Sequence, residues 1–488
     1  MGDRKCEYNA PRPQGQTRNV MTVYLPPVAK QPTFFVKSDG LDFFHQHLAT
    51  RLDGQFDSEF WSKLVLQLSH SEPAIRHAVS AVSVIHRDVE TSMNSPSGYT
   101  TANPAAVQEW NAAMQALSTR IASQPNSNLV PLVCCLIFTC IEFLKGNVDS
   151  ALVHVQSGFK ILAMVRNTIQ AEGDQNTTYS DEDIKAIEEH IVPMFSRLNT
   201  LCTLFGRDTP PVIAITDQDD ETLTSIAHAR QRLYEAMDPA IRFIRSAGRR
   251  AEGFELTMED FIEQIKLQTA LETWRRDFES LLERLEREDK AVNHQAVNLL
   301  FVQFLVVHTW LAVCTTAEET AIDAYTPAFL ELVDRAEQVT KSFTGHSKPD
   351  PMSFDMQIIG PLYYTAVKCR DPALRRRALQ LLKLAPRREG LWNAHHAFVT
   401  ARRVIELEEG VGRNEYGLPE ESGRLRGVNL PSDEARVYNH NRMPGEHRKF
   451  DGSIVPSPSM PGVIEVLFQT KPEGPLGPWH TFTEHIML

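Results

Sequence analysis

No H-E-x-x-H pair, no phosphate-cradling G-x-x-x-x-G-K-[ST], no G-x-G-x-x-G after a strand and no G-x-S-x-G elbow occurs in the 488 residues. The common local signatures of metal, nucleotide and serine-nucleophile chemistry are therefore missing. The nearest approach to the last, Gln156-Ser157-Gly158-Phe159-Lys160, lacks the leading glycine and sits inside a helical pattern. Cysteine is scarce: the 7 residues at positions 6, 134, 135, 140, 202, 314 and 369 are an odd number without framework spacing, which excludes a disulfide scaffold and reads as reduced core thiols. Cys134-Cys135 and Cys140 lie amid Leu136, Ile137 and Phe138, a setting for small hydrophobes and not for metal ligands. Positive charge is also in deficit, with 50 Lys and Arg against 62 Asp and Glu, so nucleic-acid contact requires a local basic patch. There is no apolar leader at the amino terminus and no uninterrupted apolar window of about 18 residues, and the expectation is an intracellular, soluble chain in which the Asn176-Thr177-Thr178 sequon is a chance match.

What the chain has is helix. A hydrophobic fraction of 42% is enough for a large core, and from about residue 41 apolar side chains recur at three- and four-residue spacing, as in Phe56, Phe60, Leu64 and Leu68 with Trp61 and Val65 beside them. Pro73 with Glu72 and a Ser71 N-cap predicts the start of the next helix. Further blocks fall at roughly 106–123, 128–144, 148–166, 182–205, 222–248, 258–288, 292–318, 322–343, 354–368, 371–384 and 389–408. Short polar connections make these an all-α, irregular array of stacked antiparallel helical hairpins, without a fixed repeat. Three regions are expected: a Pro-rich linker over 1–32, a helical domain over 33–410, and a mostly irregular Gly- and Pro-rich segment over 411–488 packed on it. Within the last, only 462–470, GVIEVLFQT, is strand-like.

Three charged or periodic features call for a choice between function and packing. Leu267, Leu271, Trp274, Phe278, Leu281 and Leu285 step 4-3-4-3-4, the spacing of a coiled-coil seam, but the run is under three heptads and intramolecular packing is the expectation. Asp217 to Glu221, DQDDE, is the only foothold for the Mg²⁺–diphosphate chemistry of a terpene-cyclase-type enzyme; the second metal motif is not visible, and the acids read as a solvated loop with favourable first-turn charges. No catalytic residue is assigned. Residues 369–403 carry Arg370, Arg375, Arg376, Arg377, Lys383, Arg387, Arg388, Arg402 and Arg403. They form either a phosphate-binding surface or, the reading preferred, partners for acidic neighbours such as Glu406-Leu407-Glu408-Glu409. His395-His396 and the other histidines are read as structural or surface groups.

Taken together, several blocks resemble the regulatory region of fungal zinc-cluster (Zn₂Cys₆) transcription factors, especially those found beside secondary-metabolite genes. They are 43–88, 132–162, 191–206, 370–394 and 466–479, in the family's order. In that family six cysteines bind two zinc ions, and the last sits in a phrase like Gly-x-x-Cys-x-Tyr. Gly2, Cys6 and Tyr8, with Arg4 and Lys5 between, are similar to it, so Cys6 is expected to be a remnant sixth ligand. One thiolate does not hold zinc, so the expectation is that Cys6 binds none by itself and that zinc enters only with a complete cluster upstream. The resemblance implies a nuclear regulator of RNA polymerase II transcription that contacts DNA only through such a cluster. Its implied partners are proteins of the transcription machinery or a second copy of itself, with no membrane. The alternative reading is a co-regulator without DNA binding that docks on a full-length relative.

Overall fold

Most apolar runs close into helices, and several of these start at a side-chain cap, Asn103, Ser180, Asn293, Asp371 and Asn393 among them. The computed structural model describes residues 39–56, 59–93, 103–124, 127–172, 179–207, 209, 222–253, 255–343, 352–410, 412, 414, 416–429 and 463–488. Helix α1 (Asp39–Phe43) continues through a π turn (Phe44–Leu48) into α2 (Ala49–Asp53), and a second π turn (Phe60–Val65) leads into α3 (Leu66–Ser71). A π turn inserts one residue into the helical ladder and so rotates the apolar face. Here the turns bury Phe44, Leu48, Phe60, Trp61 and Val65.

The long helices follow: α4 (Pro73–Met93), α5 (Pro104–Ser123), α6 (Leu129–Lys145) and α7 (Val148–Glu172). Ser71 does not cap α4 as expected; it ends α3, its hydroxyl donating to the Leu68 carbonyl at 3.4 Å. Asn103 caps α5, with Pro104 in the first turn. Helix α6 is buried on every side. Gly158, the glycine of the elbow-like pentapeptide, is where α7 meets the next helices: a Cβ there would lie 2.1 Å from the Phe195 ring. Ser157 beside it spends its hydroxyl on the Val153 carbonyl of its own helix, at 2.8 Å.

Helix α8 (Asp181–Ala186) passes through a π turn into α9 (Val192–Leu204), followed by α10 (Ile226–Gly253), α11 (Met258–Arg287), α12 (His294–Val313) and α13 (Thr326–Phe343). The heptad face of α11 is turned inward: Trp274 stacks on Phe278 and Phe304 at 5.0 and 5.6 Å and donates to the Ala229 carbonyl at 2.8 Å. It packs on α10 and α12, as expected. Helix α12 is long and apolar enough to cross a membrane by length and composition, but it is a core helix here, with Leu299, Leu300, Val302 and Phe304 at 0–1% exposure.

Helices α14 (Ile359–Lys368), α15 (Pro372–Leu382) and α16 (Ala394–Glu409) complete the array. The helix expected over 389–408 begins only at Ala394, because β1 (Arg388–Glu389) and β2 (Trp392–Asn393) form a tight antiparallel hairpin before it. Helices adjacent in sequence pack as pairs, α4 with α5, α6 with α7, α10 with α11, α12 with α13 and α14 with α15. The chain ends in a three-stranded antiparallel sheet in the order β3 (Leu425–Asn429), β4 (Val463–Thr470), β5 (His480–Met487). Ile464, Val466 and Phe468 alternate onto its buried face and join the same core as the helices. The strand-like 462–470 is therefore the middle strand, with a partner on each side that the sequence reading left irregular.

Candidate functional site

Cys6, the one metal residue expected from the sequence, lies outside the described residues, as does Asp217–Glu221. The other six cysteines are buried free thiols. Burial pushes Cys135, Cys202 and Cys314 up to about 12, so they are packing groups and not thiolates. Among the described residues no three His, Cys, Asp or Glu side chains gather into a metal-sized group.

The arginine-rich segment divides along its helix. Arg376 and Arg377 stay near the surface, pairing with Glu409 and with Asp334 and Glu337. Arg370 and Arg375 turn inward to 0% and 1% side-chain exposure and share one carboxylate, Glu408, at 3.0 and 2.8 Å. Glu408 also accepts the Leu425 backbone N–H at 2.9 Å, fastening β3 to α16. Arg370 reaches Glu319 at 3.1 Å, and Lys368 reaches the same carboxylate at 2.8 Å. Burial opposes the charge on Glu319, but Lys368 and Arg370 outweigh it and hold the carboxyl at about 2. Just before β3, Arg424 grips Asp323 through two bonds of 2.8 and 2.7 Å, and Arg426 of the strand pairs with Glu421. The arginines are thus partners for acids, Glu408 of the expected acidic run among them, and this buried network locks the sheet to the helices.

Beside the network lies a cavity of about 180 Å³. Its wall is α12 (Val306, Val307, Trp310, Val313), α10 (Met237, Ile244), α14 (Gly360, Tyr363, Tyr364, Val367) and Trp392; its rim is the turn at 316–319 with Lys368, Arg426 and Val428. Gly360 is required there: a Cβ would fall 2.9 Å from the Trp392 indole, so the bare helix lets the ring lie flat against it. Trp392 in turn packs edge-on against Phe205 at 5.3 Å and beside Tyr363 at 5.7 Å. The polar group in the wall is Gln303, at 2% exposure, which donates Nε2–H to the Met356 carbonyl at 2.8 Å. Its Oε1 makes no hydrogen bond of good geometry, and the buried Tyr234 hydroxyl lies against the same carboxamide. Local spacing does not register the cavity, since its lining is assembled from several elements far apart in sequence.

The hairpin positions one side of the cavity. Glu389, fully buried, accepts the N–H groups of Gln357, Ile358 and Ile359 at 2.9, 3.1 and 2.9 Å, closing the open end of α14. Burial pushes its carboxyl up to about 7 against the pull of those three donors. Two residues beyond the turn, Asn393 caps α16 through the His395 and His396 N–H groups at 3.0 and 3.1 Å. His395 and His396 thus sit in the first turn of a helix.

Chemically, the site offers a partly open, mostly apolar pocket and no nucleophile–base pair. The cavity, lined from Leu204 onward, lies beyond residues 41–197, the part of the chain that matches a family model. Residues 41–197 match the family described as "Fungal specific transcription factor domain". The Aspercryptin biosynthesis cluster-specific transcription regulator atnN of Emericella nidulans is 22% identical over 466 residues, covering 79% of this chain and 73% of that protein. Transcription regulator lscL of Purpureocillium lilacinum is 28% identical over 131 residues, 25% of this chain and 31% of that protein. No solved structure matches. Over its first helices, then, the chain is similar to the fungal specific transcription factor domain, and over most of its length to a transcription regulator.

Proposed function

We propose that this protein is a nuclear transcription regulator, not an enzyme, and the helical regulatory part of a fungal zinc-cluster factor acting on a secondary-metabolite gene cluster. The observation that carries the reading is the match of residues 41–197 to the fungal specific transcription factor domain. The helical array continues far past that match, as a regulatory region needs, and the printed name of the relative atnN supports the link to a biosynthetic cluster. In this reading DNA contact belongs to a zinc cluster whose sixth ligand is Cys6, and the helices act through proteins of the transcription machinery or a second copy. No step is drawn through zinc, because the described residues hold no metal-sized ligand group. The inward turn of Arg370 and Arg375 supports the same division of labour, since buried, paired guanidinia are unavailable to phosphate.

The test is to tether residues 38–488 to a heterologous DNA-binding domain in a filamentous fungus carrying a reporter with the cognate site. A several-fold change in reporter transcript, in either direction, relative to the DNA-binding domain alone is expected. A reporter unchanged at matched nuclear protein levels overturns the assignment.

A further inference from the structure

We infer that the cavity between α10, α12 and α14 is a binding site for a small neutral molecule of one or two aromatic rings carrying a hydroxyl or N–H donor. The inference stands on the cavity alone and not on the transcriptional reading. Size comes first. A cavity of about 180 Å³ is somewhat larger than the roughly 150 Å³ apolar cavity that takes up benzene, so one ring fits with room for a second small ring or a substituent. The wall sets the class: Trp310, Tyr364, Tyr363 and Trp392 offer ring faces and edges, and Met237 and Met356 offer adaptable thioethers.

Charge is excluded by the rim. Lys368 is already satisfied by Glu319, and Arg426 by Glu421 and the Ala317 carbonyl, so an ion entering the cavity would lose its water and find those partners taken. A donor is asked for by Gln303. Its carboxamide is oriented by the bond to Met356, and its Oε1 is a buried acceptor without a hydrogen bond of good geometry. A ligand hydroxyl or N–H would satisfy it.

Occupancy has a route outward. Glu319 belongs both to the cavity rim and to the network that fastens β3 to the helices. Filling the cavity therefore stiffens the junction between sheet and helical array.

The experiment uses the full chain with indole, 2-naphthol and, as the control without a donor, naphthalene, read by thermal shift and by saturation-transfer NMR. Indole or 2-naphthol at about 100 times Kd is expected to raise Tm by about 3 °C. Naphthalene is expected to bind more weakly than 2-naphthol, and Gln303→Leu should erase that difference. Val306→Phe, on the half-buried side of the wall, fills the space and is expected to abolish the ligand shift with the far-UV circular dichroism unchanged; Val313→Phe serves if the first variant does not fold. Absence of a shift with both donor probes up to their solubility limits overturns the proposal. So does an undiminished shift in a folded filled variant, which would place binding elsewhere.

Discussion

Two halves of one chain build their interiors from different materials. From α4 to α9 the core is mostly apolar and sulfur-bearing: Cys134, Cys135, Cys140 and Cys202 pack among Leu, Ile and Phe, the two buried imidazoles are held neutral by burial, and buried charges are few, Glu142 and Arg197 among them. From α12 to β4 the interior carries full charges, each matched across elements far apart in sequence. The first half is stabilised by area removed from water, which tolerates small losses. The second depends on every buried charge keeping its partner, so a single deletion there strands what remains.

The sharpest way to break the contrast is Glu408→Ala. It would leave Arg370 and Arg375 buried without their shared carboxylate, and a loss of about 3–5 kcal/mol in urea unfolding is expected. A loss under 1 kcal/mol would mean that the network is not holding the second half together.

Acid comes next and discriminates the halves by pH. Burial depresses His86 and His154 to about 4 from an ordinary 6.5. The unfolded chain therefore takes up protons first, so stability is full above pH 6.5 and falls as pH drops toward 4, by up to about 3 kcal/mol per histidine. In the second half, burial disfavours the charge on Asp355, but Arg197 and Arg230 outweigh it and hold the carboxyl at about 2. Its contribution, like that of Glu319, is present above the unfolded carboxyl range and is lost only as pH falls below it. Hydrogen exchange between pH 6.5 and 5 should show α4–α7 losing protection before α14–α16; the reverse order would sink the comparison.

Apolar packing away from the charged network supplies the remaining tests. Gly158→Ala drives a methyl into the Phe195 ring and is expected to cost about 1–3 kcal/mol, with part recovered by a companion Phe195→Leu. At the low end, Ile262→Lys on the outer face of α11, where Ile262 is 60% exposed, should change stability by less than about 0.5 kcal/mol. Trp274→Ala on the inner face of the same helix should cost about 3–5 kcal/mol.

What could be read from sequence divides along the same line. Local spacing carries helix faces, so the inward turn of Leu267, Leu271, Trp274 and Phe278 was legible, and so was the burial of the thiols. Pairing over distance is not local. Nothing within Leu374-Arg375-Arg376-Arg377 says that the first arginine is sealed inside and the next two are not, since that depends on Glu408, 33 residues away. The acidic run reads as a partner; the burial of Glu408 alone within it has no local signal. Strand β5 was overlooked although Phe482, Glu484 and Ile486 alternate, because two residues with intermediate exposure and one buried one make a weak period-two signal. The cavity left no trace in the sequence, being defined by what several distant elements fail to fill.

One short feature reaches across the second half. The hairpin over residues 388–393 seals the start of α14 with Glu389 and the start of α16 with Asn393. Both helices thereby take their origin from one turn, like two hands of a clock on one arbor. One hand sweeps the cavity with Gly360 and Tyr363, and the other carries Glu408 to the sheet. The two helices also pack on each other, so the shared turn fixes their starts and direct contact fixes the rest of their course.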